Sequence, residues 1–222
     1  MSRYAISDIH GCIKTFRNLV EKVINLKPAD ELFLLGDYVD RGPDSKGVLD
    51  YIMGLQERGY QVTTLMGNHE DMMLQAQEGK EYRNHWYLNG GRQTMESFGE
   101  SKLKAIPEKY WRFLHQLDFY VELEDYLLVH AGFDFNAPNP FQNHKAMLWI
   151  RDFDLNPVYT KDKTVVHGHT PIPVAEIELT ALSRKNKIID IDGGCVFKSY
   201  MGHLTALNLD TRHVDSVAYC ED

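Results

Sequence analysis

The sequence has no long apolar run, few cysteines and no excess of basic residues. No segment approaches the roughly 18 consecutive apolar residues that a membrane-spanning helix needs. Residues 1–35 lack a basic stretch followed by an apolar run and a small-residue cleavage site. We therefore expect no membrane association and a cytoplasmic location.

The three cysteines, Cys12, Cys195 and Cys220, are an odd number with no paired spacing. A disulfide framework or a zinc site built on thiolates would need pairs of cysteines at regular intervals. The cysteines are therefore typical of free thiols in a reducing compartment.

Basic residues are outnumbered, with 24 Lys and Arg against 32 Asp and Glu and a net charge of −8. They form no stripe, whereas nucleic-acid binding depends on clustered contacts with phosphates. Nucleic acid is therefore not an expected partner. The remaining composition, 43% apolar and 25% charged over 222 residues, is that of a globular protein. We expect a single domain over residues 1–222.

Four consecutive apolar residues, 32–35, precede Gly36 and Asp37. Such a run predicts a strand buried on both faces, and open α/β sheets place their functional groups at the carboxyl ends of such strands. Asp40 and Arg41 follow directly, a combination that a turn does not require. An ordinary turn with a surface ion pair is the alternative from these residues alone.

An earlier strand, residues 3–7, ends at Asp8 and His10, which two-residue spacing places on one side of an extended backbone. A turn with an incidental histidine is the alternative. Residues 13–26 have the apolar spacing of an amphipathic helix, so the two strands form a parallel βαβ unit. We therefore expect Asp8 and Asp37 at the same edge of the sheet.

Three further apolar segments, 61–66, 126–129 and 164–166, also end in polar residues. Those residues are Asn68, His69, His130 and His169. The C-terminal segments 187–191, 204–209 and 214–219 predict a closing set of antiparallel strands.

Residues 78–124 interrupt the alternation of strands and helices. We interpret this segment as a helical insertion that lies over the site. Its aromatic side chains, among them Trp86 and Tyr87, are expected to fill a core rather than to bind a ligand.

The polar residues at the strand ends offer carboxylate, imidazole and amide ligands without a thiolate. This set suits manganese, iron or zinc. Six ligands are too many for one open site, but two ions about 3.5 to 4 Å apart that share a carboxylate would use all of them. Such a pair activates a bridging hydroxide for in-line attack at phosphorus.

The motifs together resemble the signature blocks of the calcineurin-like metallophosphoesterases. The blocks are Asp8-x-His10, Gly36-Asp37-x-x-Asp40-Arg41-Gly42, Gly67-Asn68-His69-Glu70, His130-Ala131-Gly132 and Gly168-His169-Thr170. They are similar to the phosphoprotein phosphatase branch, which contains serine/threonine phosphatases of the bacterial and lambda-phage type and symmetrical diadenosine tetraphosphate hydrolases. The resemblance implies an α/β fold with a central β-sandwich of mixed sheets flanked by helices.

The resemblance also implies roles for individual residues. It assigns Asp8 and His10 to a first ion, Asp37 to both ions, and Asn68, His130 and His169 to the second. Asp40 is the expected orienting carboxylate, His69 the general acid, Arg41 the phosphate-binding arginine and Arg151 a second arginine clamp. Manganese is the expected metal, with iron or zinc as alternatives.

The implied activity is that of a dinuclear-metal phosphatase acting on phosphoproteins or small phosphoesters. We expect phosphoserine or phosphothreonine in proteins as the substrate, with phosphotyrosine as a further option. The alternative is symmetrical hydrolysis of diadenosine tetraphosphate or related dinucleoside polyphosphates. A non-catalytic metal-binding scaffold is a third reading, which would predict lost ligands, and none of the ligands is lost.

Overall fold

The computed structural model describes residues 1–199 and 201–221 and shows two β-sheets with helices around them. The strands of the described residues are β1 (Arg3–Ile6), β2 (Glu31–Leu34), β3 (Gln61–Thr64), β4 (Tyr120–Glu122), β5 (Tyr126–Val129), β6 (Thr164–His167), β7 (Ile188–Asp190), β8 (His203–Asn208) and β9 (Val214–Ala218).

The α-helices are α1 (Ile13–Arg17), α2 (Ser45–Glu57), α3 (Asn68–Gln75), α4 (Lys80–Trp86), α5 (Arg92–Phe98), α6 (Glu108–His115), α7 (His144–Trp149), α8 (Pro157–Thr160) and α9 (Val174–Leu182). The predicted helix at residues 13–26 begins as α1 and continues as a π-helical segment, Asn18–Val23. A second π-helical segment, Tyr87–Gly91, joins α4 to α5. Short 3₁₀ helices lie at Leu103–Ala105 and Pro140–Gln142.

Both sheets are mixed, which confirms the predicted fold class. One sheet has the order β3-β2-β1-β8-β9 and the other β4-β5-β6-β7. Strands β1, β2 and β3 are parallel, as the βαβ pattern predicts. Strands β8 and β9 are antiparallel, but β7 pairs in parallel with β6, so the expectation that β7 belongs to a closing antiparallel set is wrong.

Alternate side chains of the central strands fill two different cores. On β2 and the residue after it, Phe33 and Leu35 pack between the two sheets with Leu128 of β5. Leu32 and Leu34 point the other way, into the core beneath the helices. All four apolar residues are buried, so the strand is covered on both faces and the two sheets form a sandwich.

The segment 78–124 contributes α4, α5 and α6 but ends in strand β4, so only part of the expected helical insertion is helical; its buried aromatic side chains join the helical core. Trp86 and Tyr110 are fully buried there, whereas Tyr82 is half exposed. Within the described part of the chain, no helix combines the length and the apolar character needed to span a membrane.

Candidate active site

The predicted site residues other than Arg151 follow the carboxyl ends of five strands, three parallel strands in one sheet and two in the other. Asp8 and His10 follow β1, and Asp37, Asp40 and Arg41 follow β2. Asn68 and His69 begin α3 after β3, His130 follows β5, and His169 follows β6. The two sheets thus bring residues 161 positions apart into contact, because the His169 amide donates a hydrogen bond to the Asp8 carboxylate at 3.0 Å.

Six of these residues have a left-handed backbone conformation that side chains other than glycine seldom adopt. They are Asp8 (φ 54°), His10 (φ 46°), Asp37 (φ 55°), Asp40 (φ 72°), Arg41 (φ 68°) and His169 (φ 75°). Each such residue costs on the order of 1 to 3 kcal/mol, and such conformations concentrate at functional sites. The sharp turns point successive polar side chains at one place.

One cluster consists of His10, Asp37 and His69, whose donor atoms lie within 4.8 Å of one another. His10 Nδ1 donates to the Val39 carbonyl at 3.0 Å, which leaves Nε2 to accept a hydrogen bond from Arg41. That Nε2 lies 3.5 Å from Asp37 Oδ2 and 2.7 Å from Arg41 Nη1. The Arg41 guanidinium is therefore the positive charge that faces the cluster.

A second cluster shares Asp37 and adds His130 and His169. His130 Nδ1 donates to the Leu35 carbonyl at 2.9 Å, so its Nε2 carries a lone pair when the ring is neutral. This Nε2 lies 2.9 Å from Asn68 Oδ1, which is also an acceptor. Two acceptors at that distance repel each other unless a proton or a cation lies between them.

The donor set fits two divalent cations. Asp37 belongs to both clusters, and His169 Nε2 is buried without a hydrogen-bond partner. Oxygen and imidazole nitrogen ligands without thiolates match the metals that the sequence predicts. Asp8 is held by the Ser7 hydroxyl and the His169 amide, next to these clusters, and its assignment as a ligand stays a prediction.

Burial and neighbouring charges keep the His10 and His169 imidazoles neutral. Burial and then the Arg41 charge lower the pKa of His10 well below its usual value. Burial, His130 and Arg151 lower the pKa of His169 to about 3. Burial, Asp8 and Glu70 raise the pKa of Asp37 well above its usual value. Neutral imidazoles around crowded carboxyl groups form a site in which bound cations would relieve the carboxylate repulsion.

Two glycines let the loops come this close together. A Cβ at Gly67 would collide with the amide and carboxylate of Asp37, and one at Gly168 would collide with Ser7 and the Asp8 carboxylate. Both carboxylates therefore lie directly against a neighbouring backbone. A side chain at Gly67 would displace the Asp37 carboxylate, and one at Gly168 would displace the Asp8 carboxylate.

Asp40 and His69 form a buried pair in which His69 Nδ1 lies 2.8 Å from Asp40 Oδ2. The indole of Trp86 donates to the Asp40 oxygens at 2.8 and 3.0 Å, and the Thr94 hydroxyl donates at 2.6 Å. Burial raises the pKa of Asp40, while the hydrogen bonds from Thr94 and Trp86 lower it. The helical segment 78–124 thus supplies two of the donors that hold this carboxylate.

Glu70 is a site residue to which the sequence alone assigns no role, although it ends the Gly67-Asn68-His69-Glu70 block. Its fully buried carboxylate accepts hydrogen bonds from the amides of Gly67, Asp37, Tyr38 and Val39 at 2.8 to 3.2 Å. It therefore fixes the loop that carries Asp37. The signal was an acidic residue at the third position of α3, the usual place for a side chain that caps a helix.

The two predicted arginines lie at different clusters. Arg41 faces His10, and Arg151 is exposed with Nη1 3.4 Å from Thr170 Oγ1, near His169. His167, which the sequence leaves outside the ligand set, is buried at the end of β6, with Nδ1 3.0 Å from the Gly168 carbonyl oxygen.

Comparison with known proteins identifies one family. The family model described as calcineurin-like phosphoesterase matches residues 1–199. A symmetrical bis(5'-nucleosyl)-tetraphosphatase of Buchnera aphidicola is 43% identical over 79 residues, which cover 36% of this chain and 28% of that protein. The chain thus spans little more than a quarter of the length of that relative.

Another relative matches along nearly the whole chain. An asymmetrical bis(5'-nucleosyl)-tetraphosphatase of Bacillus subtilis is 26% identical and covers 95% of this chain and 93% of its own length. A crystal structure provisionally named a diadenosine tetraphosphatase has 22% identity and a TM-score of 0.69, and covers 99% of this chain and 94% of that one. Protein serine/threonine and protein-tyrosine phosphatases also share the fold, with TM-scores of 0.67 and 0.65. At these identities the structures show the fold alone.

Proposed function

The chain belongs to the calcineurin-like phosphoesterase family, and on that premise we propose that it is a metal-dependent hydrolase of dinucleoside polyphosphates such as diadenosine tetraphosphate. The observation that carries this proposal is the similarity over 95% of the chain to a bis(5'-nucleosyl)-tetraphosphatase. The site is compatible with it, because its two clusters share Asp37 and each lies beside an arginine, Arg41 at one and Arg151 at the other.

The sequence favours phosphoserine or phosphothreonine in proteins as the substrate, and hydrolysis of these groups stays a prediction. The protein phosphatases among the structural neighbours have the same fold, at 15% and 16% identity. The relatives aligned by sequence carry nucleosyl-tetraphosphatase names instead. Those names favour the alternative expected from the sequence, hydrolysis of diadenosine tetraphosphate or related dinucleoside polyphosphates.

The proposed ligands are divided between two ions. Asp8 and His10 would hold the first, Asp37 would bridge both, and Asn68, His130 and His169 would hold the second. When bound, such ions lower the pKa of a coordinated water and neutralise charge on the phosphoryl oxygens. Manganese remains the expected metal, with iron or zinc as alternatives.

The chain's own side chains supply orientation and a proton. Asp40 fixes the His69 ring through Nδ1, so that Nε2 faces Asp37 at 3.9 Å. We propose that the ring reacts in its doubly protonated form, in which Nε2 gives its proton to the leaving oxygen and the ring is left neutral with Nδ1–H still donated to Asp40. Arg41 and Arg151 would bind phosphate oxygens through paired N–H donors on either side of the clusters.

A substrate panel tests the proposal. With manganese, the purified protein should hydrolyse diadenosine tetraphosphate with a larger kcat/KM than phosphoserine or phosphotyrosine peptides. The Asp37→Asn variant, prepared in parallel, should be inactive and so exclude a contaminating enzyme. Two ADP molecules as products would show symmetrical cleavage, and AMP with ATP asymmetrical cleavage. A larger kcat/KM for a phosphopeptide would overturn the proposed substrate.

A further inference from the structure

Two open recesses lie beside the clusters, one next to each. The first, which we call the Tyr87 recess, is lined by Tyr87, Leu88, Arg92, Arg41 and Phe197 and has a volume of about 560 Å³. The second, the Trp149 recess, is lined by Trp149, Phe119, His144, Lys145 and Met72 among others and measures about 510 Å³. Both volumes are in the usual range for small-molecule sites.

The Tyr87 recess adjoins the cluster that contains His10. Arg41, which contacts His10 at 2.7 Å, forms one wall, and its amide donates to the Gly90 carbonyl of the π-helical segment at 3.2 Å. The Arg92 guanidinium lies over the Tyr87 ring, 5.1 Å from its centre. An aromatic ring and two cations thus stand together beside the first cluster.

The Trp149 recess adjoins the cluster that contains His169. The Trp149 ring is 6.2 Å from the His169 ring, and the exposed Lys145 lies in the same recess. A second platform there is the stacked pair of Phe119 and His144, with ring centres 3.7 Å apart. Arg151 lies two residues beyond Trp149 and faces the same cluster.

Exposure distinguishes Trp149 and Leu88 from core residues. Trp149 is 38% exposed and Leu88 86% exposed, whereas Trp86 and Trp111 are 0% and 6% exposed. Exposed apolar side chains that border a polar centre are typical of ligand-binding surfaces. Each recess thus has an exposed apolar side chain at its border, beside one of the two clusters.

We propose that each recess receives one nucleoside of a dinucleoside polyphosphate, with the polyphosphate chain lying across the clusters between them; this rests on the proposed function. Nucleobases stack on aromatic rings and on arginine planes whatever their sequence. The anionic chain that joins the nucleosides would lie between two pairs of positively charged side chains. One pair is Arg41 and Arg92, and the other is Lys145 and Arg151, so the charges are complementary. Trp149 and Arg92 are the positions that set the preference for a two-nucleoside substrate.

The test compares kcat/KM for diadenosine tetraphosphate with kcat/KM for p-nitrophenyl phosphate, which has no nucleoside. Trp149→Ala and Arg92→Gln should each lower the ratio of these two values by about fivefold or more, the usual effect of losing one stacking partner. Leu182→Ala is the control for an exposed apolar residue, and Arg58→Gln is the control for Arg92. Arg58 also lies over a tyrosine, Tyr60, at 5.6 Å, but lines neither recess.

A binding measurement gives a second readout. Titration with a methylene-bridged, non-hydrolysable diadenosine tetraphosphate should quench tryptophan fluorescence, because Trp149 is the exposed tryptophan. Trp149→Phe should abolish the quenching while the fluorescence of the two buried tryptophans remains.

Three outcomes would overturn the inference. An unchanged ratio in Trp149→Ala or in Arg92→Gln, with wild-type hydrolysis of the dinucleotide intact, would refute base binding there and leave the proposed function standing. Quenching that persists in Trp149→Phe would refute base binding in the Trp149 recess and leave the proposed function standing. Failure of the wild-type protein to hydrolyse the dinucleotide at all would instead refute the proposed function, and this inference with it.

Discussion

Replacing Trp86 by phenylalanine removes one N–H group and leaves most of a buried ring in place. That N–H donates to both carboxylate oxygens of Asp40, which in turn holds His69 at 2.8 Å. The substitution therefore tests whether the helical segment 78–124 orients the proposed acid from a distance. Trp86 is fully buried, so the substitution removes no substrate contact.

The expected magnitude follows from the strength of the hydrogen bond. A buried hydrogen bond to a charged group contributes about 1.5 to 3 kcal/mol. If that free energy is lost from the alignment of Asp40 and His69, turnover that depends on proton delivery falls by about 10- to 100-fold. Thr94 still donates to Asp40 at 2.6 Å, so the pair should persist in a looser geometry.

The assay compares a substrate with a poor leaving group, phenyl phosphate, and one with a good leaving group, p-nitrophenyl phosphate. Trp86→Phe should reduce kcat strongly for the first and much less for the second. Trp111→Phe is the matched control, because Trp111 is also buried but donates to the Ile106 carbonyl at 3.2 Å, outside the site. If both variants lose thermal stability and neither changes the ratio of the two kcat values, the positioning role of Trp86 is refuted.

His69→Asn should lower kcat for phenyl phosphate by about 10² to 10⁴-fold while both ions stay bound, because a general acid typically contributes that much; loss of metal measured by atomic absorption would show that His69 is a ligand instead. Protonation of His10 and His169 should not weaken manganese binding between pH 7.5 and 6.0, because their lowered pKa values keep both rings neutral; a loss of affinity measured by calorimetry should follow one proton only, that of Asp37, whose pKa is raised. Two ordinary histidines with a pKa near 6.5 would weaken binding roughly tenfold over the same interval.

The ends of the strands could be predicted from the sequence because each is a short apolar run followed within a few residues by polar side chains. Residues 32–35 are buried on both faces and lead directly to Asp37, as their pattern indicates. The parallel pairing of β1 and β2 follows from the helix between them, and it places Asp8 beside Asp37. Each of these steps uses neighbours in sequence or one βαβ unit.

The parts that were not predicted depend on contacts between distant residues. Trp86 and Thr94 reach Asp40 across 46 and 54 positions, and no local pattern connects an indole or a hydroxyl to a particular carboxylate. Strand β7 has the same residue pattern in a parallel or an antiparallel pair, so its pairing with β6 became clear only from the fold. The role of Glu70 likewise depends on a loop that lies 31 to 33 positions earlier.

The two recesses illustrate the same limit. Tyr87 and Phe197 are 110 residues apart and line one surface, and Phe119 stacks on His144 from another element. Aromatic content alone favoured a core role for the segment 78–124, and for Trp86 this is confirmed. Tyr87 is partly buried against the same core and also lines the Tyr87 recess, together with the exposed Leu88.

Asp37 belongs to both clusters and, in the proposed function, would bridge two metal ions. Electron paramagnetic resonance of the protein loaded with two equivalents of Mn²⁺ tests this bridging role most directly, since two manganese ions that share a carboxylate are magnetically coupled. We predict a coupled spectrum for the wild-type protein and the spectrum of isolated Mn²⁺ for Asp37→Asn. Isolated Mn²⁺ in the wild-type protein, or binding of a single equivalent, would contradict the account.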